Sequence, residues 1–116
     1  IIQTFLWDLD LRERLRVDAI ITVVDAHGVL RRLDGLGGGA QVLPPDEAQT
    51  LTDQIAFADR ILLNKCDLVG AAGADRVQCH IRSLNAGAKV YRCSRADVPL
   101  RELLSQRAFD AAAALE

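Results

Sequence analysis

What this chain lacks narrows it first. It has no methionine, one tryptophan, one tyrosine and three phenylalanines. So few aromatic rings do not make a stacking platform for single-stranded nucleic acid. It has no excess of positive charge either: 14 Lys and Arg stand against 16 Asp and Glu, a formal net charge of −2. Where basic residues cluster, as in Arg12-Glu13-Arg14-Leu15-Arg16, opposite charge intervenes, so no nucleic-acid partner is expected. There are only three cysteines, Cys66, Cys79 and Cys93, and no two have CxxC spacing. That odd set argues against a disulfide framework and for a reducing compartment, here the cytoplasm. No apolar run approaches the roughly 20 residues of a membrane span, and no signal peptide is visible, so no membrane partner is expected. The chain opens on Ile1-Ile2 without a methionine, which fits a fragment or a processed chain.

What is present suits one compact α/β domain. Half of the 116 residues are hydrophobic and 26% are charged, enough apolar material for a core. Three segments read as strands: Asp18 to Ala26 (DAIITVVDA), Arg60 to Asn64 (RILLN) and Ala88 to Cys93 (AKVYRC). The first two look apolar on both faces, the pattern of a parallel sheet covered on each side. Helical patterns fill the gaps. Pro44-Pro45 and acidic Asp46-Glu47 suit a helix start, and Ala48, Leu51, Ile55 and Ala58 recur on one face. The segment from Gly73 carries Val77, Ile81 and Leu84, with Asn85 to Gly87 as its stop. Asp97 is placed to cap a last helix over VPLRELLSQ. The opening IIQTFLWDLDLRERL reads as helix broken near Asp8 to Asp10, with Phe5 and Trp7 packing it onto the sheet. The alternation α–β–α–β–α–β–α predicts a three-layer, mainly parallel sheet with flanking helices. Residues 34–45, with four glycines between Gly35 and Gly39, read as a flexible loop.

Ligands of open α/β sheets sit at the carboxyl ends of the strands. The second strand ends there in Asn64-Lys65-Cys66-Asp67. A carboxylate at Asp67 can accept from the imino and exocyclic amino groups of guanine, a donor pair that adenine does not offer. The aliphatic stem of Lys65 can cover the flat face of the base. The Asn64 amide can bond the base edge or tie neighbouring loops together. N-K-x-D arises by chance in a chain of this length about one time in a hundred. The competing structural reading makes Asp67 a mere helix cap and Lys65 a solvated cation.

The surrounding text resembles the CobW-type GTPases, within the P-loop group. QIAFADRILLNKCDLV is similar to that family's Q-I-x-x-A-D-x-I-x-L-N-K-x-D-L-V almost position for position, and DAIITVVDAHGVL resembles its strand ending in V-V-D-A. IRSLNAGAKVYRCSRADVPLRELL resembles the helix, turn, strand and base loop that follow, and QRAFD resembles the zinc-regulated metalloprotein activator branch. The resemblance covers nearly the whole chain. It implies a GTPase that couples GTP binding and hydrolysis, with magnesium, to delivery of a metal, most often zinc or cobalt, to a client metalloprotein. It implies that Asn64, Lys65 and Asp67 bind guanine, and that a second base loop falls at Cys93, Ser94 and Arg95.

Departures from the pattern matter. Cys66 stands where Thr is usual, and Ala96 where Gly is frequent, so a positive φ there would strain Ala. No GxxxxGK[ST] occurs in the 116 residues, nor the family's metal motif C-x-C-C, its switch glutamate region or its C-terminal domain. Residues 1–116 are therefore expected to be the C-terminal half of a GTP-binding domain, with no catalytic residue or metal ligand of their own. Such a piece would be inactive alone and prone to self-association along an uncovered sheet edge. Among other residues, Asp25 reads as a cap or an aid to magnesium. His27 reads as a solvated residue of a glycine-containing turn, and Cys79 as facing inward or at a boundary beside His80. Two other readings compete: a non-catalytic α/β interaction module without a P-loop, and a phosphoacceptor domain, which lacks the acidic pair it would need.

Overall fold

The structure, a computed structural model, describes residues 2–33 and 45–104. Of the expected loop over 34–45, residues 34–44 lie outside the described residues and Pro45 is already helical; everything from residue 105 also lies outside them. Three parallel strands, β1 (Ile21–Asp25), β2 (Arg60–Asn64) and β3 (Lys89–Arg92), form one sheet in the order β1-β2-β3. The register runs from Ile21 opposite Arg60 to Asp25 opposite Asn64, and from Arg60 opposite Lys89 to Leu63 opposite Arg92.

Both crossovers step the same way across this sheet. With the right-handed connections that parallel strands almost always use, their helices share one face. Those helices are α3 (Ala26–Leu33), α4 (Pro45–Ala56) and α5 (Gly70–Leu84). Val24, Ile61 and Leu63 of the sheet meet Val29 of α3, Ile55 of α4 and Val77 and Ile81 of α5 in one buried cluster. Gly73 lets α3 approach α5: a Cβ there would lie 2.9 Å from Leu30 Cδ2. The central strand β2 is apolar on both faces, with Ile61, Leu62 and Leu63 all buried. For β1 the expectation of two covered faces fails among the described residues. Thr22 and Val24 are buried, but Val23 is 56% exposed and Ile21 38%. Leu62, opposite Val23 on the same face, is buried, so the uncovered part lies at β1, an edge of the described sheet whose connecting crossovers pack on the other face.

The strands are shorter than their apolar runs. Asp18 to Ile20 precede β1: Asp59 Oδ2 accepts from Ile20 N–H at 2.8 Å, and the Ile20 carbonyl accepts from Asp59 and Arg60. Ala26, expected at the end of the strand, begins α3, so His27 lies in a helix and not in a turn. At the N-terminus, α1 (Ile2–Trp7) and α2 (Leu9–Arg14) are separated where expected. The carboxylate of Asp8 accepts from Asp10 and Leu11 N–H. Leu6 of α1 is buried, while Trp7 is 73% exposed and does not pack onto the sheet. Among the described residues Asp97 caps no α-helix: the element that follows β3 there is a 3-10 turn, Leu100–Glu102, preceded by Pro99.

Asn85 does more than stop α5. Its side-chain N–H group donates to the carbonyls of Ile55 (2.9 Å), Ala58 (2.8 Å) and Ala56 (3.2 Å), and its Oδ1 accepts from Gly87 and Ala88 N–H. One amide thus joins the end of α4 to the entry of β3. Removing it leaves partly buried backbone groups without partners, so Asn85→Ala is expected to destabilise the chain by about 2–3 kcal/mol in urea unfolding.

Candidate functional site

The carboxyl ends of the strands form one row. Asp25 lies opposite Asn64, and Cys93 follows directly on the pair of Leu63 with Arg92. Three loops leave from these positions: α3 from β1, the Lys65–Leu68 turn from β2 and the Cys93–Asp97 loop from β3.

Two side-chain contacts join the second loop to the third. Asn64 Oδ1 accepts from the backbone N–H of Ala96 at 2.8 Å, with the Cys93 thiol 3.8 Å away. The Ser94 hydroxyl donates to Asp67 Oδ1 at 2.9 Å. Backbone bonds run beside them. Cys93 N–H donates to the Leu63 carbonyl at 2.9 Å, and Cys66 N–H donates to the Cys93 carbonyl at 3.2 Å. Of the two roles that the sequence left open for Asn64, the loop-tying one is formed. Cys66 turns its thiol to the Leu63 carbonyl and packs against the core cluster, away from Asp67.

This arrangement is held against backbone preference. Lys65, Arg95 and Ala96 have φ of 60°, 53° and 54°, the only positive-φ residues other than glycine among the described residues. A left-handed conformation costs a non-glycine residue roughly 1–2 kcal/mol. All three lie in the two loops, where the Asn64 and Ser94 bonds fix their path. Asp67, Lys65 and Arg95 stay exposed, Asn64 and Ser94 are half-buried, and Cys93 is buried. Burial pushes the Cys93 thiol up, aided by neighbouring Cys66 and Asp97, so it stays protonated.

The β1–α3 junction, the first of the three, reaches the same place. Asp25 Oδ1 accepts from Gly28 N–H at 3.0 Å in the first turn of α3. Its Oδ2 meets the Lys65 ammonium at 3.2 Å. Burial disfavours the charged carboxylate, but the Gly28 bond and Lys65 outweigh it and hold Asp25 below its ordinary value. The capping part of this was legible, because an Asp three residues before a free N–H is a capping signal. The pairing with Lys65, 40 residues away, was not.

Other candidates do not join the site. Cys79 and His80 are exposed neighbours on α5, so the inward placement of Cys79 is not observed. A cavity of about 180 Å³ between α3, α4 and α5, lined by Val29, Leu51, Ile55 and His80, shares no residue with the strand ends. Among the described residues no three His, Cys, Asp or Glu side chains gather to hold a metal, and no helix is long and apolar enough to cross a membrane.

A parallel α/β sheet with flanking helices and polar residues at the carboxyl ends is an arrangement that places ligands, nucleotides among them, at those ends. The sequence profile of the CobW/HypB/UreG nucleotide-binding domain matches residues 1–92, and the chain belongs to that family. It is 31% identical over 122 residues to the zinc-regulated GTPase metalloprotein activator 1 of Dictyostelium discoideum, covering 95% of this chain and 26% of that protein. It is 30% identical to the zinc chaperone CobW of Pseudomonas aeruginosa, covering 93% of this chain and 32% of that one. The crystal structure of Zn(II)-bound YjiA GTPase from E. coli superposes with a TM-score of 0.68 at 29% identity, over 94% of this chain and 30% of that one. The chain thus spans about a quarter to a third of the length of these relatives. The match supports the expected P-loop GTPase fold class.

Two outcomes follow from the loop geometry. Ala96→Gly removes the cost of a left-handed alanine and is expected to stabilise the chain by about 0.5–1 kcal/mol in urea unfolding. Asp25 has a lowered folded value, so its contribution is complete above the ordinary carboxylate range and is lost as pH falls through the lowered value. In an acid titration of thermal stability, Asp25→Asn is expected to flatten that acid limb.

Proposed function

We propose that the chain is the guanine-recognition portion of a CobW-type GTPase, one that couples GTP binding and hydrolysis to delivery of zinc to client metalloproteins. In this reading residues 1–116 are the C-terminal half of the GTP-binding domain, with a flexible loop over about 34–45, and the protein works in the cytoplasm. One observation carries the reading: Asn64, Asp67, Ser94 and the Ala96 N–H come together at the carboxyl ends of β2 and β3.

The chemistry assigned to each group follows from its place. Asp67 accepts from the guanine imino and amino groups. The Ser94 hydroxyl occupies one lone-pair direction of Oδ1 and sets the carboxylate rotamer, leaving further acceptor capacity on both oxygens. The Lys65 stem lies along the face of the base. Backbone N–H groups of the Cys93-Ser94-Arg95 loop meet the guanine carbonyl oxygen. Asn64 keeps the two loops in one geometry before the base arrives.

The metal part rests on the relatives, whose names give zinc. The described residues bring together no set of donors that fits a zinc ion. A phosphate cradle of the GxxxxGK[ST] type is likewise not among the 116 residues. Magnesium, the phosphates and hydrolysis are therefore assigned to residues outside this chain, which by itself binds the base weakly and hydrolyses nothing. Along β1, an edge of the described sheet with Ile21 and Val23 exposed, the isolated chain would self-associate.

The test is a base swap. Asp67→Asn replaces one acceptor by a donor, which suits the additional carbonyl of xanthine. In a competition titration on the intact protein, the preference for GTP over xanthosine triphosphate is expected to fall by roughly 100-fold. An unchanged preference removes Asp67 from the base site and turns attention to the non-catalytic interaction module.

A further inference from the structure

We propose that Asp25 is a positioning residue for guanine recognition: from the neighbouring strand it holds the Lys65 ammonium, so that the lysine stem already stands where the base face will lie. The inference rests on the guanine reading above and extends it to β1.

The geometry is specific. Lys65 is the first residue beyond β2, and its left-handed backbone, φ 60° and ψ 31°, lets its side chain reach across to β1. The register places Asp25 beside Asn64 there, so the partner carboxylate is fixed by the sheet and not by a loop. Asp25 itself cannot turn freely. Gly28 N–H holds Oδ1 at 3.0 Å, leaving Oδ2 for the ammonium at 3.2 Å. A lysine stem has four rotatable bonds, and ordering it against a ligand costs entropy. A carboxylate that already holds its far end removes part of that cost before the ligand arrives. The placement also keeps the carboxylate at the tip of the lysine stem, so Asp25 acts through Lys65.

The competing role is purely structural, a cap on α3. Asp25→Asn separates the two, because an amide oxygen still accepts from Gly28 N–H while the charge that attracts Lys65 is gone. GTP affinity is measured by calorimetry on the intact protein for wild type, Asp25→Asn, Lys65→Ala and the double variant. Both side chains are about half exposed, 48% and 52%, so the pairing is screened and its effect modest. Asp25→Asn is expected to weaken GTP roughly two- to five-fold when Lys65 is present, and not further in Lys65→Ala. The loss is also expected to shrink with added salt. An equal loss in both backgrounds, or none in either, overturns the proposal. Asp67→Asn is run beside them. If it leaves base preference unchanged, the guanine reading fails and this inference with it. If it shifts the preference while the cycle shows no coupling, only the positioning role fails.

Discussion

The register of two parallel strand pairs sets everything at the carboxyl edge of the sheet. Asp25 stands beside Asn64, and Cys93 follows the residue paired with Leu63. Side chains far apart in sequence therefore leave the sheet within hydrogen-bond reach of one another. A slip of one residue in β1 would turn Val24 out of the core and Asp25 away from Lys65. The apolar cluster under the sheet opposes that slip, because Val24, Ile61 and Leu63 are all buried by α3, α4 and α5. Packing energy on one face thus fixes the positions of polar groups at the edge.

Two asparagines carry that order into the loops. Asn85 satisfies backbone groups at the end of α4 and the start of β3, holding α5 at its C-terminus. Asn64 does the same at the opposite end of the sheet, between the second and third loops. Asn85 serves several backbone groups with one rigid amide, and Asn64 holds the Ala96 N–H, which suits loops too short to build ladders of their own. The second asparagine also explains how strained backbone persists. Arg95 and Ala96 stay left-handed in a loop whose N–H group is bonded to Asn64 and whose Ser94 hydroxyl is bonded to Asp67.

The exposed face of β1 belongs to the same topology. Two crossovers that step in one direction place their helices on one side, and β1 is an edge of the described sheet, so Ile21 and Val23 stay exposed while Leu62 of the central strand is buried on the same face. Among the described residues the sheet is covered at its centre and exposed at its β1 edge.

Local chemistry settled much of this protein. The β-branched runs set the strands, Asp8 and Asn85 marked helix boundaries, and the spacing Asn64-Lys65-Cys66-Asp67 after an apolar strand pointed to the candidate site. These are legible because a strand, a cap or a short motif depends on residues within a few positions of one another. The sequence was less informative where a signal had two local meanings. Ala26 and His27 extended a strand pattern but start α3, and VPLRELLSQ has a helical pattern where only one 3-10 turn, Leu100–Glu102, is formed among the described residues. Tertiary structure alone decided that Asn64 bonds Ala96, that Ser94 meets Asp67, that Trp7 faces solvent and that Asp25 holds Lys65. Such pairings depend on which strand ends the register sets side by side, and register is a property of the whole packed sheet.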